Sequence, residues 1–314
     1  MIALLLDLQP DDEVILPTFT FVSTANAFVL RGARPVFCDS RADTLNLDES
    51  LVKSLITART RAIAVVHYAG VGCEMDPILA LASQHGLAVV EDNAHGLLGT
   101  YRGRALGSFG VLAAQSFHET KNFSCGEGGA LIVNDERFAN RAEIIREKGT
   151  NRSQFFRGEI DKYTWVDVGS SYLPSDILAA FLVAQLEAAE EIQRRRREIW
   201  TRYANELSTW SRAAGATLPC VPRHCEQPFH MFYIRMPSAE ARNALMAMLR
   251  ARNIQSAFHY VPLHSSAMGL RFGGRPGQCP VAERASDCLV RLPFYTGMTS
   301  DDQDRVIETV AEFR

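Results

Sequence analysis

An acid and an amine are the residues of this chain whose types and spacing could do chemistry. Ala88-Val-Val-Glu-Asp92 is an apolar run that closes on a carboxylate, with His95 just beyond it. A second apolar run leads through Ser116 to Lys121 in a polar turn, followed by Gly126-Glu-Gly-Gly129. A buried strand that stops at an acid places it at the C-terminal edge of a sheet, where open α/β sheets bind ligands. A lysine leaving the next strand reaches the same crevice. Pyridoxal 5'-phosphate asks for this pair: an amine for its Schiff base, and a carboxylate to keep the pyridine nitrogen protonated so that the ring draws electrons from the substrate carbon. A lone Asp at a strand end or a lone Lys in a loop is ordinarily a turn former or a solvated charge. The ordered set is far more specific than either.

The elements that must position this pair alternate along the chain. Strands are expected within the turn and short strand of Asp11–Pro17 and near Pro35–Asp39, Ala62–His67, Leu87–Glu91, Gly110–Phe117 and Ala130–Asn134, with one helix starting near Ser23 or Thr24 and running to Arg31, and others near Leu47–Ile56, Asp76–His85 and Glu136–Lys148. Such alternation argues for a mostly parallel sheet with helices on both faces, all strand C-termini on one edge. The stretch 151–172 is polar and aromatic, long enough for a functional loop or an interface. Pro174–Leu207 reads as one long helix whose Arg194-Arg-Arg-Arg197 run is a solvated face, since no aromatic interleaving accompanies it. A boundary near Ala213–Thr217 divides a large domain, 1–212, from a small α/β domain, 213–314. The latter is read as a strand His230–Arg235, a helix Ala239–Arg252, a strand Ile254–Tyr260, a helix Val281–Leu289 and a last helix opened by a capping box at Ser300–Gln303.

The totals exclude several classes. With 314 residues, 47% hydrophobic and 22% charged, and a net charge of −3, the chain is an ordinary globular one with no general attraction to nucleic acid or to an anionic membrane. Seven scattered cysteines without a CxxC pair favour a reduced, cytoplasmic setting over a disulfide framework or a zinc site. No apolar stretch is long enough to span a bilayer, and Met1–Asp7 reads as part of a helix rather than as a signal peptide.

The chain resembles the DegT/DnrJ/EryC1/StrS sugar-nucleotide aminotransferases over essentially its whole length. The resemblance is carried by Asp12-Glu-Val-Ile-Leu-Pro17, Thr20-Phe21, Glu91-Asp92, Ser116 with Lys121-Asn122, Gly126-Glu-Gly-Gly129 and His259-Tyr-Val-Pro-Leu-His264. More narrowly, 143–157 and Asp161-Lys-Tyr-Thr-Trp165 are similar to the group that makes dTDP-4-amino-4,6-dideoxygalactose for enterobacterial common antigen. The resemblance implies a homodimeric, fold-type I enzyme dependent on pyridoxal phosphate, taking L-glutamate as donor and a 4-keto-6-deoxy sugar nucleotide as acceptor. It implies that Lys121 bonds the cofactor and moves the proton, Asp92 pairs with the pyridinium, His95 lies beside the phenolic oxygen, Phe21 stacks on the ring and Ser116 contacts the phosphate. Ser171 stands where most relatives have an Asn reaching the neighbouring subunit's phosphate, and His264 falls in a block expected to contact substrate. Arg152, Arg157 and Lys162 are the cations expected to meet the diphosphate. Lysine rather than histidine at 121 argues against the family's dehydratases. Relatives carry a phosphate-gripping loop ahead of the segment aligned with Met1, so this chain is expected to be N-terminally short. The rival to an enzyme is an inactive relative acting as a binding or regulatory protein.

Overall fold

A computed structural model of the chain describes residues 1–313. Its strands are β1 Glu13–Pro17, β2 Arg34–Cys38, β3 Thr60–Val66, β4 Ala88–Asp92, β5 Thr100–Tyr101, β6 Arg104–Ala105, β7 Leu112–Ser116, β8 Gly129–Val133, β9 Cys225–Glu226, β10 Tyr233–Arg235 and β11 Leu289–Arg291. Six of them form one sheet in the order β2-β1-β3-β4-β7-β8. Neighbours in it are parallel except β7 and β8, which are antiparallel. Strands covered on both faces read as apolar runs, and β1 and most of β3 are buried. Asp92 and Ser116 therefore end adjacent strands on one edge, because β4 pairs with β7 through Asp92 and Ala114.

Core packing divides by face. Leu16, Ala64, Val90 and Leu112 point to one side with Phe19, Phe28 and Tyr68. Ile15, Ile63, Val65 and Val89 point to the other with Val52, Ile78 and Ala82. The helix Met75–His85 stops at Gly86, whose left-handed backbone (φ +64) satisfies the last turn, as a C-terminal glycine does. A third core joins β10 and β11 to the helices Ala239–Ala251 and Ser300–Ala311 through Ile234, Val290, Leu245, Leu249 and Val306. Ile199 and Tyr203 of the helix Ala189–Glu206 belong to this core too, so apolar packing runs across the 212/213 position.

Several expectations are corrected. The single helix expected over 174–207 is two, Asp176–Glu187 and Ala189–Glu206, broken at Ala188 (φ −90, ψ 13). Ile254–Tyr260 is not a strand: only Ala257 pairs, with Arg291, and the backbone then turns to deliver His259 and Tyr260 inward. The helix expected over 281–289 is Pro280–Cys288, and Leu289 already begins β11. The last helix is capped one residue earlier than expected, by the Thr299 side chain accepting from the Asp302 N–H. No helix among the described residues is long and apolar enough to cross a membrane.

Candidate active site

A cavity of about 730 Å³ opens at the C-terminal edge of the main sheet, within the range that holds small ligands. Asp92, His95, Ser116, Lys121 and Phe21 all line it, so the acid closing β4 and the amine beyond β7 face one space. The Asp92 carboxylate is oriented from two directions: the Thr24 hydroxyl donates to Oδ2 at 2.6 Å and the Ala94 N–H to Oδ1 at 3.1 Å. Thr24 lies within the helix Val22–Val29, and its hydroxyl is 3.0 Å from that of Thr20.

Lys121 hangs from a turn in which its N–H donates to the His118 carbonyl at 2.9 Å, while the His118 Nδ1 sits 2.9 Å from the Thr120 hydroxyl. The glycines after it serve geometry. Gly126 has φ +83, and a Cβ on Gly129 would lie 2.7 Å from the Gln115 carbonyl oxygen, where β7 and β8 pair. Burial lowers the Lys121 amine to about 8; Asp92 opposes that shift and Arg291 adds to it. An amine in that range is poised for nucleophilic and proton-transfer work near neutral pH.

Three histidines surround the lysine, and burial holds all three neutral. His95 and His230 lie well below the usual imidazole range, and His259 is pushed down to about 2. The His95 ring stacks on His230 with centroids 4.2 Å apart, and His230 Nδ1 sits 2.9 Å from Asn122 Oδ1. His95 Nδ1 is buried and has no partner within the chain. His259 stacks on Tyr260 with centroids 4.0 Å apart, and Phe21, more than half exposed, has its ring 6.4 Å from Tyr260.

The residues present fit pyridoxal phosphate. The cavity offers an oriented carboxylate, a depressed amine, an imidazole nitrogen with an unmade hydrogen bond, and the Ser116 and Thr120 hydroxyls. The structure does not bring the remaining expected site residues to this cavity. His264 is fully buried elsewhere, with Nδ1 2.7 Å from the Thr18 hydroxyl and Nε2 2.7 Å from Glu283 Oε1. With both ring nitrogens engaged it pins its loop to the end of β1, and it has no surface to offer a substrate. Ser171 is exposed and makes a backbone bridge with Glu147. Arg152 pairs with Glu147 at 3.0 Å, Arg157 with Glu143 at 2.8 Å and Glu159 at 2.7 Å, and Lys162 is exposed.

Thr24, His230, His259, Tyr260 and Arg291 line or border the same space and were not singled out in the sequence as site residues. A signal existed for Thr24, in the first turn of a helix and four residues after Thr20, and for Arg291, a lone charge inside the apolar run Leu289-Val-Arg-Leu292.

Fold and cavity together define an aminotransferase of fold type I. The DegT/DnrJ/EryC1/StrS aminotransferase family matches residues 1–311, and the chain belongs to that family, whose members depend on pyridoxal phosphate. The chain is 34% identical over 311 residues to the spore coat polysaccharide biosynthesis protein SpsC of Bacillus subtilis, covering 96% of this chain and 79% of that one. Among solved structures it is similar to the aminotransferase TlmJ from Streptoalloteichus hindustanus, with a TM-score of 0.88 and 33% identity over 98% of this chain and 80% of that one. It is also similar to Spr1654 from Streptococcus pneumoniae in its PLP-form, with a TM-score of 0.89 and 26% identity over 99% of this chain and 83% of that one.

Proposed function

We propose that this chain aminates C4 of dTDP-4-dehydro-6-deoxy-D-glucose with L-glutamate as donor, giving dTDP-4-amino-4,6-dideoxy-D-galactose for a cell-surface polysaccharide such as enterobacterial common antigen. The observation that carries the transamination is the depressed Lys121 amine sharing one cavity with the oriented Asp92 carboxylate. The choice of sugar is supported by the segment 143–165, which is similar to that transaminase group, and a polysaccharide role is in keeping with the name of SpsC.

Pyridoxal phosphate, when bound, supplies a ring that takes up the electron pair released at the substrate carbon. Asp92 would hold the pyridine nitrogen protonated, with Thr24 fixing the carboxylate's direction. His95 Nδ1, whose hydrogen bond is unmade, would serve the ring's phenolic oxygen, and Ser116 the phosphate. Phe21, which lines the cavity, would cover the ring face. Lys121 Nζ would hold the cofactor and would be the base that moves the proton, a role suited to an amine near 8.

The same proposal includes a cytoplasmic homodimer with a large part, 1–212, and a small part, 213–314. The helix Asp176–Glu187 has no buried residue in the single chain, and leaves Ile177 82%, Phe181 56% and Val183 53% exposed. An apolar helix face of that kind is covered in a stable protein. Ser171, Arg152, Arg157 and Lys162 lie on the adjoining stretch, from which they serve phosphate groups at a shared site. Incubating the cofactor-loaded protein with dTDP-4-dehydro-6-deoxy-D-glucose and L-glutamate tests the reading. Resonances of a 4-amino-galacto product by NMR support it; a 3-amino or gluco-configured product, or none, contradicts it.

A further inference from the structure

One arginine of the Arg194-Arg-Arg-Arg197 run does not belong to a solvated face. Arg194 and Arg195 pair with acids of their own helix, Ala189–Glu206, and are more than half exposed. Arg196 is only 4% exposed, because it falls with Ile192, Ile199 and Tyr203 on the buried side of that helix. Its guanidinium is met by neutral groups. Nε donates to the Phe229 carbonyl at 2.9 Å, Nη2 to the His230 carbonyl at 2.6 Å and Nη1 to the Thr296 hydroxyl at 3.4 Å, and the group lies 4.7 Å from the centre of the Phe294 ring. A buried charge is costly unless its donors are used, and here two of the three nitrogens point at successive carbonyls of one segment.

That segment needs holding. Pro228-Phe229-His230 lies between β9 and β10 and belongs to neither strand. Phe229 has φ +52, a left-handed backbone that a bulky residue adopts only when its surroundings impose it. Pro228 is seated against Gly70, where a Cβ would lie 2.5 Å from the proline Cδ and 2.8 Å from the His95 carbonyl oxygen. The Pro228 carbonyl accepts from Asn122 Nδ2 at 2.6 Å. Asn122 follows Lys121 directly, and since its Oδ1 can only accept, His230 Nδ1 carries the proton between them. Arg196 and Asn122 thus grip the same three residues, and what they fix is the His230 ring on the His95 ring. Those two rings, with Asn122 and Phe123, leave a void of about 10 Å³ beside Lys121, room for no more than one water. The amine is dry on that side because His230 is there.

Resting on the role proposed for Lys121, we propose that Arg196 is its positioning residue: by fixing two carbonyls it keeps His230 on His95 and Asn122, and so keeps water from the amine. The other ionisable groups facing that amine are Asp92 and His95 past β4, His118 and Glu127 around its own turn, His259 and Tyr260 after Ala257, and Arg291 of β11. None of them shares a hydrogen bond with Arg196.

Competitive labelling of the cofactor-free full chain with acetic anhydride, from about pH 6 to about pH 11, reads the Lys121 amine by mass spectrometry. In wild type it half-titrates near 8, and admitting water restores its charged form and moves that point toward 10.5. The rise is about one pH unit in Arg196→Met. It is about half a unit or more in Arg196→Lys, which retains the charge but cannot reach both carbonyls at once. Arg195→Met, which loses only an exposed pair with Glu191, stays with wild type. Lys121 unmoved in both Arg196 variants overturns the assignment, even where urea unfolding shows lost stability. A rise in Arg196→Met with none in Arg196→Lys overturns it too, because charge alone then accounts for the effect. Should an Arg196 variant not fold, His230→Ala opens the same wall with the carbonyls still held: a similar rise supports the assignment and an unmoved Lys121 overturns it. The labelling uses no cofactor, so a wild type that forms no visible band with pyridoxal phosphate removes the transamination reading without altering these outcomes.

Discussion

Arg291 and the arginines of the 151–172 stretch carry the same charge in opposite circumstances. Arg157 is held at the surface by Glu143 and Glu159, and the half-buried Arg152 by Glu147. Arg291 meets only a neutral imidazole inside a cavity. A surface pair must be broken before a diphosphate gains from it, and such pairs contribute little at the start. A guanidinium already oriented and free of any carboxylate partner gives more of its interaction to an incoming anion. The cavity is thus pre-built for ligand, whereas the stretch 151–187, with its paired arginines and exposed Phe156, Trp165 and Ile177, is pre-built for covering.

The sharpest break in that contrast is Asp92→Asn. It keeps the shape of the cavity but removes the charge that holds the pyridine protonated, and turnover falls by about 10²- to 10⁴-fold while circular dichroism is unchanged. Lys121→Met tests the cost of pre-building. The buried amine is disfavoured in its charged form, so in the cofactor-free protein the native state loses about 3 kcal/mol at pH below 8. That penalty fades as pH rises from about 8 to about 10.5, because the unfolded lysine still binds its proton there and the native one does not. Urea unfolding at pH 7 should show the Lys121→Met protein to be the more stable, and the gap should close by pH 10.5. His264→Ala, away from the cavity, leaves Thr18 and Glu283 without their buried partner and lowers stability by about 2 kcal/mol, with the KM of both substrates unaltered. The smallest effect belongs to the surface arginines. Replacing Arg152, Arg157 and Lys162 together by Ala raises the sugar-nucleotide KM by about 5-fold and leaves cofactor binding intact; an unchanged KM would remove those residues from the site.

The parts of the site legible in the sequence are those fixed by one strand or one turn. Asp92 closes an apolar run and Lys121 follows another, so their common edge followed from parallel strand order alone. What escaped depends on contacts between distant segments or on weak local signals. His264 reads as a candidate substrate contact until Thr18, 246 residues away, is seen to occupy its ring nitrogen. The apolar and aromatic residues of 254–260 resemble a strand, yet tertiary pairing uses only Ala257 and spends the rest on turning His259 and Tyr260 inward. Ala188 breaks a helix without any Pro or Gly to announce it, since alanine is an ordinary helix former. Arg291 was hidden because a single charge in an apolar run gives no indication of what it faces.

Lys121 and Asp92 of this chain are placed to grip opposite ends of the same ring. Adding pyridoxal phosphate, reducing with borohydride and mapping the labelled peptide by mass spectrometry tests it most directly. A visible absorption band is expected, lost on reduction, with the label on Lys121 and none in Lys121→Ala. A label spread over surface lysines such as Lys53 and Lys162, with Lys121 unmodified, would contradict it.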